Sequence, residues 1–301
     1  MDRGGKNTIE RIFFPTRFRE LSFNALECLL ALKEAGLREV ILSYIIPVEE
    51  VAFVPFGGYL KDEEEHLREE ARIRFEDWQR ELLKAGLESK VIIEVGDPVP
   101  KILSLAERER ADLIVVGKKK KTGAEGIFIE SHTMDILRRS RIPALVYKYM
   151  VQFEWDGEIV TRTNDRIFRR PLLAADWSLP SERALGLLLS LKGIVKEAVV
   201  VHILETRIKK GMEKAELLRI EKESRERLER YCAILKSAGI QAESHLSAGN
   251  GAQEIINLSR EFDASMLVMG TTGKDRLHEF FMGSVSHRVA EMSELPTLLS
   301  P

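Results

Sequence analysis

The chain repeats itself at the scale of a whole domain. Ala85-Gly86-Leu87 reappears as Ala238-Gly239-Ile240, and the same shift of 153 residues carries Gly96 to Gly249, Gly117 to Gly270, Ser131 to Ser284 and Pro143 to Pro296. Nearer the start of each half the shift is 159, from Ala25-Leu26 to Ala184-Leu185, and it is 158 from Glu39 to Glu197. The register therefore slips between residues 45 and 60, where Val51, Pro55, Gly57 and Gly58 read as a loop. Solenoid repeats run about 20–50 residues, so this period marks a duplicated domain. A chain of 301 residues holds two domains of ordinary size.

Each half alternates short apolar runs with helical patterns. In the second half Leu172–Ala175, Ala198–Ile203, Ala242–Leu246, Met266–Met269 and Pro296–Leu299 read as strands. Between them, helices are expected over Glu182–Leu191 (with Ser181 as N-cap), Met212–Ala238, Gln253–Phe262 and Ser284–Met292. The first half copies the order, with strands at Ile12–Phe14, Val40–Ile45, Val91–Val95, Leu113–Val116 and Ala144–Tyr147. Continuous apolar strands separated by helices require a parallel sheet covered on both faces. Right-handed crossovers then give an α/β fold of two doubly wound, open, five-stranded parallel sheets of Rossmann-like type. The expected division is a domain over 1–150, a linker over 151–167 and a second domain over 168–301. The linker tract Phe153–Gly157 is able to form a hairpin. Each sheet would end in an exposed fifth strand, and pairing Ala144–Tyr147 with Leu298–Leu299 would cover both edges. The domains are thus expected to pack as a pseudo-dimer.

Composition removes several classes of function. With 46 basic and 48 acidic residues the net charge is −2, so binding nucleic acid through bulk charge has no support. No apolar run approaches the ~20 residues of a membrane helix, and no signal peptide is read at the polar start. The two cysteines, Cys28 and Cys232, fall in helical patterns, so a reducing cytoplasm is the expected setting. The six histidines form no metal-spaced pair, and His202 reads as a packed strand residue. No Gly-x-Ser-x-Gly elbow is present.

Open α/β sheets take ligands beyond the carboxyl ends of their strands, where the strand order reverses. The loops after strands one and four of each half are therefore the segments to inspect. In the second half the loop after strand four opens with Gly270-Thr271-Thr272-Gly273, and Gly283-Ser284 then opens a helix. Glycine lets backbone N–H groups approach an anion closely, and a helix N-terminus adds unpaired N–H groups and a positive dipole end. Ser284 and Ser286 add hydroxyls able to donate to a phosphate. The same glycines would equally serve a simple turn, with Ser284 as a cap. The loop is not a Walker A motif, because Gly273-Lys274 is followed by Asp275. After strand one, Asp176 either accepts from a ribose or adenine edge or closes an Asx-type turn.

These residues together resemble the universal stress proteins, in a tandem form with two such domains. The specific motif is Gly-x2-Gly-x9-Gly-[Ser/Thr], met by Gly270, Gly273, Gly283 and Ser284. The strand Met266–Met269, the segment Leu172–Asp176 and Val201-His202-Ile203 are family-like as well. The resemblance implies bound ATP or AMP, with Mg²⁺ admitted through the phosphates. It implies that Gly270, Gly273, Gly283 and Ser284 hold ribose and phosphates, with Val285 and Ser286 adjacent. Ala174, Ala175 and Asp176 would meet the adenosine, and Ile203 would line the adenine pocket. The first half departs from the motif: Lys120 stands for Gly273, Glu130 for Gly283 and Arg17 for Asp176. It is therefore not expected to bind ATP in this way. Lys118–Lys121, with Arg17 nearby in the pattern, read first as a solvated basic loop tip and second as a loop able to hold an anion or acidic partner.

The leading functional expectation is an adenine-nucleotide-binding stress-response regulator, with homodimers admitted and no membrane or specific nucleic acid as partner. The runner-up is a slow ATPase, for which Asp275 and Glu279 are candidates by proximity alone. A partner-binding scaffold with a vestigial site is disfavoured by the intact loop.

Overall fold

The computed structural model describes residues 8–18, 23–53, 58–117, 131–148, 150–155, 158–205, 213–272 and 282–301. The first half runs β1 (Arg11–Pro15), α1 (Phe23–Glu27), β2 (Glu39–Ile46), α2 (Lys61–Lys84), β3 (Glu88–Val95), α3 (Pro98–Arg108), β4 (Leu113–Gly117), α4 (Ser131–Arg139) and β5 (Ala144–Tyr147). A hairpin of β6 (Met150–Trp155) and β7 (Glu158–Thr163) follows. The second half runs β8 (Pro171–Ala174), α5 (Leu179–Ser190), β9 (Glu197–Glu205), α6 (Lys214–Ser237), β10 (Gln241–Gly249), α7 (Gly251–Glu261), β11 (Met266–Gly270), α8 (Ser284–Met292) and β12 (Thr297–Ser300). The register slip falls after β2, where the first half carries a helical turn at Val48–Val51 and a short pairing of Ala52–Phe53 with Gly58–Tyr59.

The main sheet has ten strands in the order β10-β9-β8-β11-β12-β5-β4-β1-β2-β3. Each half is parallel within itself. The halves meet where β12 and β5 run antiparallel, with Thr297 opposite Val146, Leu298 opposite Leu145 and Leu299 opposite Ala144. The expected edge pairing is present, and it fuses the two five-stranded sheets into one. Alternate side chains go to opposite faces of a strand, so Leu145 and Leu298 join the apolar core on one face while Val146 and Leu299 join the core on the other. Both cores cross the seam. Gly193 allows a second close approach between the halves, since a Cβ there would stand 2.5 Å from the Glu34 carbonyl oxygen.

The duplicated landmarks now have physical reasons. Gly86 and Gly239 end α2 and α6 in the left-handed region, at φ +74° and +88°. Their amides and the next ones return to the last turn, with Leu87 N–H to Leu82 O at 2.9 Å and Ile240 N–H to Leu235 O at 3.0 Å. That is the glycine-closed helix end that lacks a Cβ penalty. The linker is not irregular: its β6–β7 ladder pairs Met150 with Thr163 through Trp155 with Glu158. The expected N-cap at Ser181 is corrected. Ser178 caps α5, its Oγ accepting from Ser181 N–H at 3.3 Å. Pro180 sits within the first helical turn, which moves the helix start ahead of Ser181.

An ion-pair network ties β3 to α3. Glu94 accepts from Lys101 at 2.8 Å and from Arg108 at 3.3 Å, and Glu109 accepts from Lys90 at 2.5 Å and Arg108 at 3.2 Å. The Lys101 hydrogen bond chiefly holds the Glu94 carboxyl below its ordinary pKa, and the Lys90 hydrogen bond does so for Glu109. A carboxyl depressed on folding contributes stability above its unfolded pKa, and that contribution is lost as pH falls through the folded one. Thermal melts of K101A should therefore lose stability at pH 7 but converge on wild type once the pH lies below the folded Glu94 pKa. A difference that is constant from neutral to acid pH would contradict the ion-pair origin.

Candidate functional site

Strand order reverses between β8 and β11, and β8 pairs in parallel with β9 on one side and β11 on the other: Ala174 stands opposite Val201 of β9 and Met269 of β11. The carboxyl ends of these strands open into a cleft of about 510 Å³, within the range of small-molecule sites. Ala174, Ala175 and Asp176 form one side of it and Ile203 another. Across the opening stand Gly270 at the end of β11 and the start of α8, with Gly283, Ser284, Val285 and Ser286. Nine sequence-selected residues thus line one cleft, and Gly273 lies outside the described residues.

The α8 wall is a helix N-terminus held in place by its loop. Gly283 is the N-cap, in an extended conformation at φ −66° and ψ 152°. Its N–H donates to Thr271 O at 2.7 Å, and Ser286 Oγ donates to the same carbonyl at 2.6 Å. The expectation that Ser286 donates to a phosphate is therefore corrected: the hydroxyl is buried and anchors the loop to the helix. The amides of Ser284, Val285 and Ser286 lie in the first turn, where a helix supplies no internal partner. Gly270 is required for packing, because a Cβ would lie 2.8 Å from Pro180 Cβ and 2.9 Å from both Pro180 C and Ser181 N. This brings the start of α5 directly against the end of β11.

The β8 wall is a strained turn. Asp176 Oδ1 accepts from Ser178 N–H at 3.0 Å and from Ser178 Oγ at 2.5 Å, so Asp176 closes an Asx turn. That turn holds Trp177 at φ +65°, a costly conformation for an aromatic residue. The indole packs against His202 with ring centroids 4.9 Å apart and edge-on to Tyr231 at 5.2 Å, and the Arg227 guanidinium lies 5.8 Å from its centroid. His202 Nδ1 donates to Ala175 O at 2.6 Å, which assigns the proton to Nδ1. Burial pushes the Tyr231 hydroxyl up, so it stays protonated at neutral pH.

The Universal stress protein family model matches residues 8–148 and 168–301. The chain belongs to the universal stress protein family. A curated relative, the universal stress protein MJ0577 of Methanocaldococcus jannaschii, is 33% identical over 153 residues, covering 46% of this chain and 94% of the relative. MJ0531 of the same organism is 27% identical over 146 residues, 48% of this chain and 86% of its own length. A crystal structure of a universal stress protein from Archaeoglobus fulgidus aligns over 97% of this chain and 98% of its own, at a TM-score of 0.70 and 22% identity. That likeness spans both halves and concerns the fold.

Within this tandem universal stress protein the two halves treat the same position differently. Phe18, at φ +64°, is the counterpart of Trp177. Tyr44, Arg74 and Trp78 correspond to His202, Arg227 and Tyr231, and Phe75 to Leu228. In the first half these rings close on one another: Phe18 lies 4.9 Å from Phe75, 5.4 Å from Trp78 and 5.7 Å from Tyr44, with Arg74 at 5.0 Å. In the second half His202, Leu228 and Tyr231 are smaller than their counterparts, although Trp177 is larger than Phe18, and the cleft there is open. Arg17, the counterpart of Asp176, forms an ion pair with Glu50. Lys118–Lys121, Glu130, Asp275 and Glu279 lie outside the described residues.

Sequence reasoning missed the α6 wall. Ile220, Glu223, Ser224 and Arg227 also line the cleft, on a helix that the sequence assigned no part in the site. Their i, i+3, i+4, i+7 spacing was the available signal, as was the recurrence of Arg74 at Arg227. Among the described residues no group of three or more His, Cys, Asp or Glu could hold a metal ion. No helix among them is long and apolar enough to cross a membrane.

Proposed function

We propose that the second half binds one adenine nucleotide, ATP or AMP, and that its occupancy regulates a cytoplasmic stress-response activity. The observation that supports this best is the convergence of Gly270, Gly283 and the free-ended first turn of α8 on a cleft at the strand-order reversal. Phosphates would lie along Gly270, Gly273, Gly283 and Ser284, with the amides of Val285 and Ser286 adjacent. The adenosine would lie against Ala174, Ala175, Asp176 and Ile203. The residues present fit such a ligand: the cleft is large enough, its phosphate end is made of helix-terminal donors, and elsewhere Trp177, His202 and Ile203 stand beside the charged Asp176, Glu205, Glu223 and Arg227. Mg²⁺ would enter on the phosphates. The halves, divided as 1–150, 151–167 and 168–301, would act as a pseudo-dimer, with homodimers of the whole chain admitted.

Titration calorimetry with ATP, AMP and GTP tests this. One adenine-nucleotide site per chain is the expected result, with GTP weaker. Two equal sites would show that the first half is not closed, and no site would remove the nucleotide reading.

A further inference from the structure

Lysine is rarely buried unless its charge is met, and Lys148 is only 2% exposed. It leaves the end of β5 in the first half and enters the second. Its Nζ donates to Ala290 O at 2.9 Å and to Ser293 O at 2.7 Å, the carbonyls at the C-terminal end of α8. The position of Lys148 is held by Asn164, whose Nδ2 donates to Lys148 O at 2.6 Å and to Glu294 O at 3.0 Å. Tyr147 donates to Asn164 O at 2.8 Å, and the buried Glu294 carboxylate accepts from Arg260 of α7 at 2.6 Å.

A cation at a helix C-terminus offsets the dipole and the unmade carbonyl bonds. The counterpart α4 carries its own, Arg138 and Arg139, in its last turn, whereas α8 has no basic residue there. The missing cation comes from the other half. The exchange is not reciprocal, because the shift of 153 takes Lys148 to Pro301. The opposite end of α8, about 13 Å away for nine residues, is the Ser284 wall of the cleft.

We propose that Lys148 is a positioning residue for the second-half site: the first half supplies the cation that seats α8, so the phosphate end of the cleft is incomplete without it. The ligand side of this inference rests on the nucleotide reading above. The helix side does not.

The test compares full-length wild type with K148M, which keeps the side-chain length and removes the charge, and K148R, which keeps a cation. In the ligand-free protein, amide exchange over residues 287–291 should rise about 10-fold in K148M and stay near wild type in K148R. In calorimetry, ATP and AMP should bind K148M about 10-fold more weakly, while adenosine, which lacks the phosphates that would meet Ser284, is unaffected. Unchanged α8 exchange in folded K148M overturns the proposal. Equal weakening of ATP and adenosine also overturns it, since that marks a general loosening. If no form binds nucleotide while α8 exchange rises, the nucleotide reading falls and the seating of α8 by Lys148 stands. Should K148M fail to fold, N164A is read in its place. It keeps the ammonium and removes the amide that holds Lys148, and unchanged α8 exchange there counts against the proposal.

Discussion

Gly283→Glu should lower ATP affinity at least 100-fold, about 2.8 kcal/mol, while leaving the melting temperature within a degree or two of wild type. The separation of the two effects follows from geometry. Gly283 sits at φ −66° and ψ 152°, a conformation open to any residue, so the substitution adds no backbone strain. A carboxylate at a helix N-terminus is itself favourable, worth about 0.3–1 kcal/mol. The helix therefore tolerates the glutamate, but the anion position at its end is then held by the protein's own charge. Glu130, at the matching place in the first half, makes the same replacement naturally. Calorimetry alongside differential scanning calorimetry separates the outcomes. Retained affinity would show that phosphates do not use this end of α8. Parallel loss of binding and folding would show that Gly283 has a structural role the extended conformation does not reveal.

Phe75→Ala should cost about 3–5 kcal/mol of unfolding free energy, with little effect on nucleotide affinity. Phe75 is 1% exposed and lies 4.9 Å from Phe18 and 5.8 Å from Trp78. Removing its ring leaves a cavity that Phe18 and Trp78 cannot both close, because Phe18 is held at φ +64° with its N–H on Thr16 Oγ at 2.8 Å. Urea denaturation of the full chain gives the measurement. A loss under about 1 kcal/mol would mean that the cluster collapses freely, and the first half would then be a mobile pocket rather than a packed core.

Much of this was legible in the residues. The repeat spacing placed ten strands, and the apolar run of β9 (Ala198–Val201 above all) could only belong to a sheet covered on both faces. The glycine spacing brought Gly270, Gly283 and Ser284 to one cleft because strand ends and helix starts meet there in any doubly wound sheet. What stayed hidden depended on contacts between distant segments. Ser286 carries the same hydroxyl as Ser284, and only the Thr271 carbonyl at 2.6 Å decides that one anchors while the other faces the cleft. Ser178 and Ser181 are both sound caps by type, and the packing of Pro180 against Gly270 selects between them. Arg227 looked like one charge among many on a 24-residue helix. Its role needs Trp177, fifty residues earlier in the chain, turned inward by a left-handed backbone.

The antiparallel seam also frees the two halves from a symmetry obligation. In a two-fold dimer of identical subunits, whatever one strand presents across the axis the other must present too. Here β5 meets β12, and the residue after each is a lysine in one case and a proline in the other. With both copies in one chain, the seam joins two distinct surfaces, each of which can change without the other. One copy was thus able to become a donor of support and the other its recipient, a division of labour closed to any homodimer.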